Sequence, residues 1–210
     1  MIVVKNASKA FGKEAALQNV SMVFEEGKIY GIVGRNGSGK TVLFKCIMGF
    51  LKLDDGKVIV DDKVVGLDVD VINNAGIIIE NPGFLPGYTG YQNLKFLAKL
   101  TRKIGKKEIM DAMTKVGLEP LSKKHVGKYS LGMRQRLGIA QAIMEDPDIL
   151  ILDEPMNGLD NQGVEDIRKL LLALKEQGKT ILIASHNRED IDVLCDHVWE
   201  MDKGVAKQVR

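Results

Sequence analysis

Cysteine is scarce in this chain of 210 residues: Cys46 and Cys195 are the only two, and they form no CxxC pair. No disulfide framework is implied, so a reduced, cytoplasmic setting is expected. An excess of charge is also lacking, with 30 basic against 28 acidic residues and a net charge of +2. Nothing in that balance favours a nucleic-acid binder, and Lys106-Lys107 and Lys123-Lys124 read as solvated surface. No window approaches the roughly 18 consecutive apolar residues that a bilayer span needs. Met1–Asn6 lacks the apolar stretch of a signal peptide, so any work at a membrane calls for another chain to cross it. Internal repeats and low-complexity segments are absent as well. What is present suits one domain with room for an inserted subdomain, and 45% hydrophobic residues suffice for a core.

Short apolar strands alternate with amphipathic helices. Ile2–Val4, Ser21–Phe24, Lys28–Val33, Lys57–Val60 and Gly76–Ile79 read as strands, and Lys40–Phe50 has helical spacing. Asn81-Pro-Gly and Leu85-Pro-Gly-Tyr mark an irregular loop, because Pro fixes φ and Gly permits positive φ. From Tyr91 to Leu121 the period is helical, so residues 81–134 are expected to form a helical insert in an α/β core made of 1–80 and 135–210. Ile149–Leu152, a helix over Gln162–Gln177, Thr180–Ala184, a helix near Glu189–Leu194 and Val198–Met201 complete the alternation. That order predicts a mainly parallel sheet.

Gly34-Arg-Asn-Gly-Ser-Gly-Lys-Thr41 fits the pattern GxxxxGKS/T, after an apolar strand and before a helix. Gly34, Gly37 and Gly39 let the backbone, with Arg35, Asn36 and Ser38, fold its N–H groups around an anion. The helix N-terminus adds partial positive charge. Lys40 can reach the β and γ phosphates, and the Thr41 hydroxyl can ligate Mg²⁺. Downstream, four apolar residues Ile149–Leu152 precede Asp153-Glu154, as in a strand buried on both faces. Asp153 then emerges at the carboxyl end of the strand, where open α/β sheets place ligands. Glu154, one residue on, is suited to orient or deprotonate an attacking water.

Tyr129-Ser-Leu-Gly-Met-Arg-Gln-Arg136 resembles the LSGGQ-type signature of ATP-binding cassette (ABC) ATPases, placed just before the Asp153 strand as in that family. Pro155–Asp160 looks like the D-loop, Ser185-His186 like the switch histidine, and Phe11 holds the position of the aromatic that stacks on adenine. The resemblance covers about residues 2–204. It implies an α/β fold with a P-loop NTPase (RecA-like) core, an N-terminal antiparallel β subdomain and an inserted α-helical subdomain within one domain, 1–210. It implies ATP and Mg²⁺ as cofactors, the metal held by Thr41, Asp153 and Glu80, and catalysis by Glu154, His186 and Lys40. Asp160 is expected to bind the nucleotide, and Ser130 and the backbone of Gly132 to meet ATP across a cassette dimer. The other implied partners are separate membrane-spanning subunits, with the chain on the cytoplasmic face of the plasma membrane. Pro82–Thr89, with Tyr88 and Tyr91, falls where cassettes dock those subunits.

Two positions depart from the family pattern. Glu80 stands where glutamine is usual and adds negative charge near the triphosphate, while Leu131 and Met133 replace a signature glycine and glutamine. These variants resemble the bacitracin-resistance and lantibiotic-immunity type of exporter, and they are expected to tune turnover without abolishing it. Two other readings remain: a nucleotide-gated ABC module outside transport, and a cassette that scarcely hydrolyses ATP. The single phosphate loop and absence of sustained heptads count against the first, and Glu154 with His186 against the second. His125 and His197 match no motif and read as structural, as Cys46 reads as core.

Overall fold

The structure is a computed structural model that describes residues 1–80 and 83–210. The first part of the chain pairs β1 (Ile2–Phe11), β2 (Glu14–Phe24), β4 (Asp55–Val60) and β5 (Lys63–Val64) in an antiparallel sheet of order β2-β1-β4-β5. β1 and β2 extend well beyond Ile2–Val4 and Ser21–Phe24, the parts that read as strands. Asn6 and Asn19 take φ of 49° and 51°, and the β1–β2 register shifts around Ala7 and Lys9. Each bulge resets the alternation of apolar side chains, so the pairing outruns its sequence pattern.

A second sheet has the order β10-β9-β3-β8-β7-β6. It comprises β3 (Ile29–Val33), β6 (Ala75–Ile78), β7 (Ile149–Asp153), β8 (Thr180–Ala184), β9 (His197–Asp202) and β10 (Val205–Gln208). Five strands are parallel, and β10 adds an antiparallel edge against β9. In β7, Leu150 and Leu152 enter one core while Ile149 and Ile151 enter the other. Ile181 and Ile183 of β8 likewise face away from Leu182 and Ala184. Burial on both faces is why these strands carry unbroken apolar runs. The α/β class, the mainly parallel sheet and the antiparallel N-terminal sheet are as expected.

One core lies between the parallel sheet, the antiparallel sheet and α1 (Lys40–Met48). The other packs the opposite face against α2 (Gly90–Thr101), α3 (Lys106–Lys115), α4 (Leu131–Ile143) and α5 (Asn161–Glu176). The helical stretch expected over Tyr91–Leu121 is therefore two helices. Arg102, at φ 56°, closes α2 in a left-handed conformation, and Gly105 opens α3. α4 runs through position 134, so the limit drawn between 134 and 135 falls inside a helix. That helix lies close on β6, where a Cβ on Gly76 would stand 1.9 Å from the Ala142 carbonyl oxygen. Asn81 and Pro82 of the expected turn lie outside the described residues. Among those described, no helix is long and apolar enough to cross a membrane.

α6 (Arg188–Leu194) is tied to α5 by ions. The Arg168 guanidinium donates to Asp190 Oδ1 at 3.0 and 2.7 Å, and to Glu165 and Glu189 at 2.9 and 3.1 Å. Arg168 and Asp190 are both buried. Arg168→Ala would strand the Asp190 carboxylate away from water and is expected to cost about 3–5 kcal/mol. Urea unfolding checks this, and a loss below about 1 kcal/mol would mean that the pair does not anchor α6.

Candidate functional site

The loop between β3 and α1 is shaped by backbone that only glycine adopts cheaply. Gly37 and Gly39 have φ of 79° and 106°, and a Cβ on Gly39 would stand 2.3 Å from the Ala16 carbonyl oxygen. α1 begins at once after Gly39, with no side-chain cap on its N-terminus. The first N–H groups of a helix have no intrahelical acceptor, so this end is suited to an anion. Lys40 is buried, and its Nζ donates to the Gly34 and Arg35 carbonyls at 2.7 and 3.2 Å. Ser38 Oγ is buried with no hydrogen-bond partner.

These groups face a cavity of about 620 Å³. Thr41 Oγ1, in the first turn of α1, donates to Asp153 Oδ2 at the end of β7 across 2.7 Å. Asp153, Glu154 and Glu80 all line the cavity at the carboxyl ends of the neighbouring strands β7 and β6. Glu80 and Glu154 hold φ of 61° and 51°, a conformation costing non-glycine residues about 1 kcal/mol or more. Glu154 is pinned by its N–H donating to the Ala184 carbonyl at 2.8 Å. Its carboxylate Oε1 meets His186 Nδ1 at 2.8 Å. Glu80 Oε1 accepts from Lys45 Nζ at 2.6 Å. The residues thus pair oxygen ligands suited to a hard cation beside a surface suited to phosphates.

Phe11 ends β1 at the rim of the cavity and is 52% exposed, so it is no core aromatic. Lys9 Nζ lies 5.7 Å from its ring centroid, and the rest of the ring is free to stack. Asn36, Gly37, Ser38, Gly39, Lys40 and Thr41 line the same cavity. Gly34, Arg35 and His186 line an adjoining cleft and join the first through Lys40 and Glu154.

Ser130, Gly132 and Asp160 are not on the cavity wall. Ser130 Oγ accepts from the Met133 N–H at 3.2 Å and caps α4, and Asp160 Oδ1 accepts from the Gly163 N–H at 2.9 Å and caps α5. Gly132 lies close against Gly158, where a Cβ would stand 2.8 Å from the carbonyl oxygen. Leu131 beside it is 61% exposed.

Two contributors escaped the sequence reading. Gln135 is buried in α4 and donates to the carbonyls of Glu154 and Pro155 at 3.2 and 3.0 Å, so it holds the turn that carries Glu154. Lys45 lies one helical turn beyond Thr41, on the same face of α1. His197 stacks on Tyr30 with centroids 5.3 Å apart, and burial pushes the Cys46 thiol up to about 11. Both agree with structural roles.

A family model described as "ABC transporter" matches residues 17–157. An uncharacterized ABC transporter ATP-binding protein of Bacillus subtilis, YybJ, is 44% identical across 97% of this chain and 94% of its own length. The bacitracin transport ATP-binding protein BcrA of Enterococcus faecalis is 40% identical over 97% of this chain and 67% of its own. The lantibiotic transport ATP-binding protein SrtF of Streptococcus pyogenes is 34% identical over 97% and 88%. Among solved structures, a nucleotide-free ATP-binding cassette from an ABC transporter superposes with a TM-score of 0.84 at 27% identity. It matches all of this chain and 91% of that one. A dimeric bacterial ABC transporter cassette gives 0.88 at 24% identity, matching all of this chain and 99% of the other.

Proposed function

This chain belongs to the ABC transporter ATP-binding family, and from that membership we propose that it binds ATP with Mg²⁺ in the cavity above Lys40 and hydrolyses it to drive export. The observation that carries the reading is the pair of contacts at the end of β7. Thr41 is bonded to Asp153 at 2.7 Å, and one residue on Glu154 is bonded to His186 at 2.8 Å. Metal-holding and water-activating groups so stand side by side beneath one phosphate loop.

Phe11 offers its exposed ring to adenine, and the N–H groups from Asn36 to Thr41 surround the phosphates. Lys40 exchanges its carbonyl partners for β and γ phosphate oxygens, which accept a charge-assisted hydrogen bond more strongly than carbonyls do. Mg²⁺, held by Thr41 and Asp153 with Glu80 near, would neutralise charge building on the phosphoryl oxygens. Glu154 takes the proton of the attacking water, and His186 holds the Glu154 carboxylate in register while reaching for the γ-phosphate.

Ser130, Gly132 and Asp160 do not line the cavity of their own chain. We assign them to the ATP of a second cassette, approached by the N-terminus of α4, so that ATP favours the closed pair and hydrolysis releases it. The division into a nucleotide-binding core (1–80, 135–210) and a helical subdomain (81–134) follows from the same reading, with α4 as the shared element. Tyr88, exposed and edge-on to Phe96 at 5.0 Å, would meet a membrane-spanning subunit that holds this chain at the cytoplasmic face. The bacitracin and lantibiotic transport relatives favour a peptide antibiotic as the exported substrate.

Asp153→Asn tests the metal arm of this site. Phosphate release is expected to fall at least about 10²-fold, while ATP binding measured in EDTA stays within about threefold of wild type. Equal loss of binding with and without Mg²⁺ would show that Asp153 serves the loop and not the metal.

A further inference from the structure

The acid at position 80 is held by a partner of its own. Lys45 Nζ reaches Glu80 Oε1 at 2.6 Å, and Lys45 is the less exposed of the two, at 31% against 65%. Thr41 and Lys45 stand one turn apart on α1, and β6 and β7 are adjacent parallel strands paired through Ile78 and Leu152. One face of α1 is therefore tied twice to the sheet, by Thr41 to the end of β7 and by Lys45 to the end of β6.

The second tie solves a specific problem. Glu80 lines the cavity that is to receive a triphosphate, in a left-handed conformation that directs its side chain. An unpaired carboxylate on that wall would repel the phosphates, and with the water-like screening of an exposed side chain one such charge a few ångström from a triphosphate changes affinity by about an order of magnitude. We infer that Lys45 is a positioning residue of the nucleotide site: it holds the Glu80 carboxylate at the cavity wall as a neutral pair, which lets this chain carry an acid beside the triphosphate. The inference rests on the cavity being the nucleotide site. Lys45 acts through Glu80, not on the nucleotide.

A double-mutant cycle reads this directly. ATP affinity is measured by calorimetry in EDTA for the intact chain, Lys45→Met, Glu80→Gln and the double variant, with thermal melting as a check on folding. Lys45→Met is expected to weaken ATP binding about tenfold in the wild-type background and by less than about twofold when position 80 is Gln. Lys45→Arg, which keeps the charge, is expected to restore most of the affinity. The inference fails if Lys45→Met is harmless in the wild-type background. It fails equally if the loss has the same size in both backgrounds, because Lys45 would then act on the nucleotide or on the fold. Lys40→Ala in the same assay separates the two levels. If that variant binds ATP like wild type, the nucleotide site itself is misplaced. If it loses binding while positions 45 and 80 fail to couple, only the role of Lys45 falls.

Discussion

Glu154→Gln is expected to lower phosphate release by roughly 10²–10⁴-fold, the range for loss of a general base, while leaving ATP affinity nearly unchanged. The substitution keeps the length and shape of the side chain. The backbone that aims it is held independently, by the Ala184 carbonyl, by Gln135 and by the left-handed φ of 51°. What is removed is the carboxylate that pairs with His186 Nδ1 and can accept the proton of an attacking water. Because ATP would persist in the site, the variant should also accumulate as an ATP-bound pair of chains. Size exclusion with ATP and then with ADP reads that second consequence. Phosphate release at the wild-type rate would remove Glu154 from the chemistry altogether. A parallel fall in ATP affinity and turnover would instead make it a structural prop of the cavity.

How far the sequence discloses this site depends on the range of each interaction. The loop Gly34–Thr41 and the β7 acids are legible because their chemistry is local: glycines that permit unusual φ, and an apolar run that ends in carboxylates. The extension of β1 and β2 is not legible, because the turns at Asn6 and Asn19 break the alternation that marks a strand. The break between α2 and α3 is hidden for a related reason. Arg102 continues a helical pattern in its side-chain character while its backbone ends the helix. Long-range partners leave no pattern. Gln135 reaches Glu154 across 19 residues and Lys45 reaches Glu80 across 35, so only the folded chain brings them together. Phe11 is marked in the sequence only by its resemblance to an adenine-stacking aromatic, and its exposure at the cavity mouth is visible only in the fold. Ser130 and Asp160 are found as helix caps, a role that their residue types already favour. Neither lines the cavity of its own chain, and no pattern in the sequence discloses that.

Lys40→Ala is expected to reduce ATP affinity by about 10²-fold or more, the cost of removing one member of a desolvated, charge-assisted contact. In the structure the Lys40 ammonium is buried and bonded to two carbonyls, those of Gly34 and Arg35. Those bonds keep a buried cation in place before any ligand arrives. Removing it takes away the buried positive charge of the loop and leaves the N–H groups, the end of α1 and the exposed Arg35. Arginine should not rescue it, because a planar fork cannot occupy the space of a compact ammonium already enclosed by the loop. The effect on folding should be far smaller, since the lost ammonium no longer has to be desolvated. Calorimetry with ATP, beside a melting curve for each variant, separates the two. ATP binding by the Ala variant at wild-type strength would place the nucleotide somewhere other than this loop.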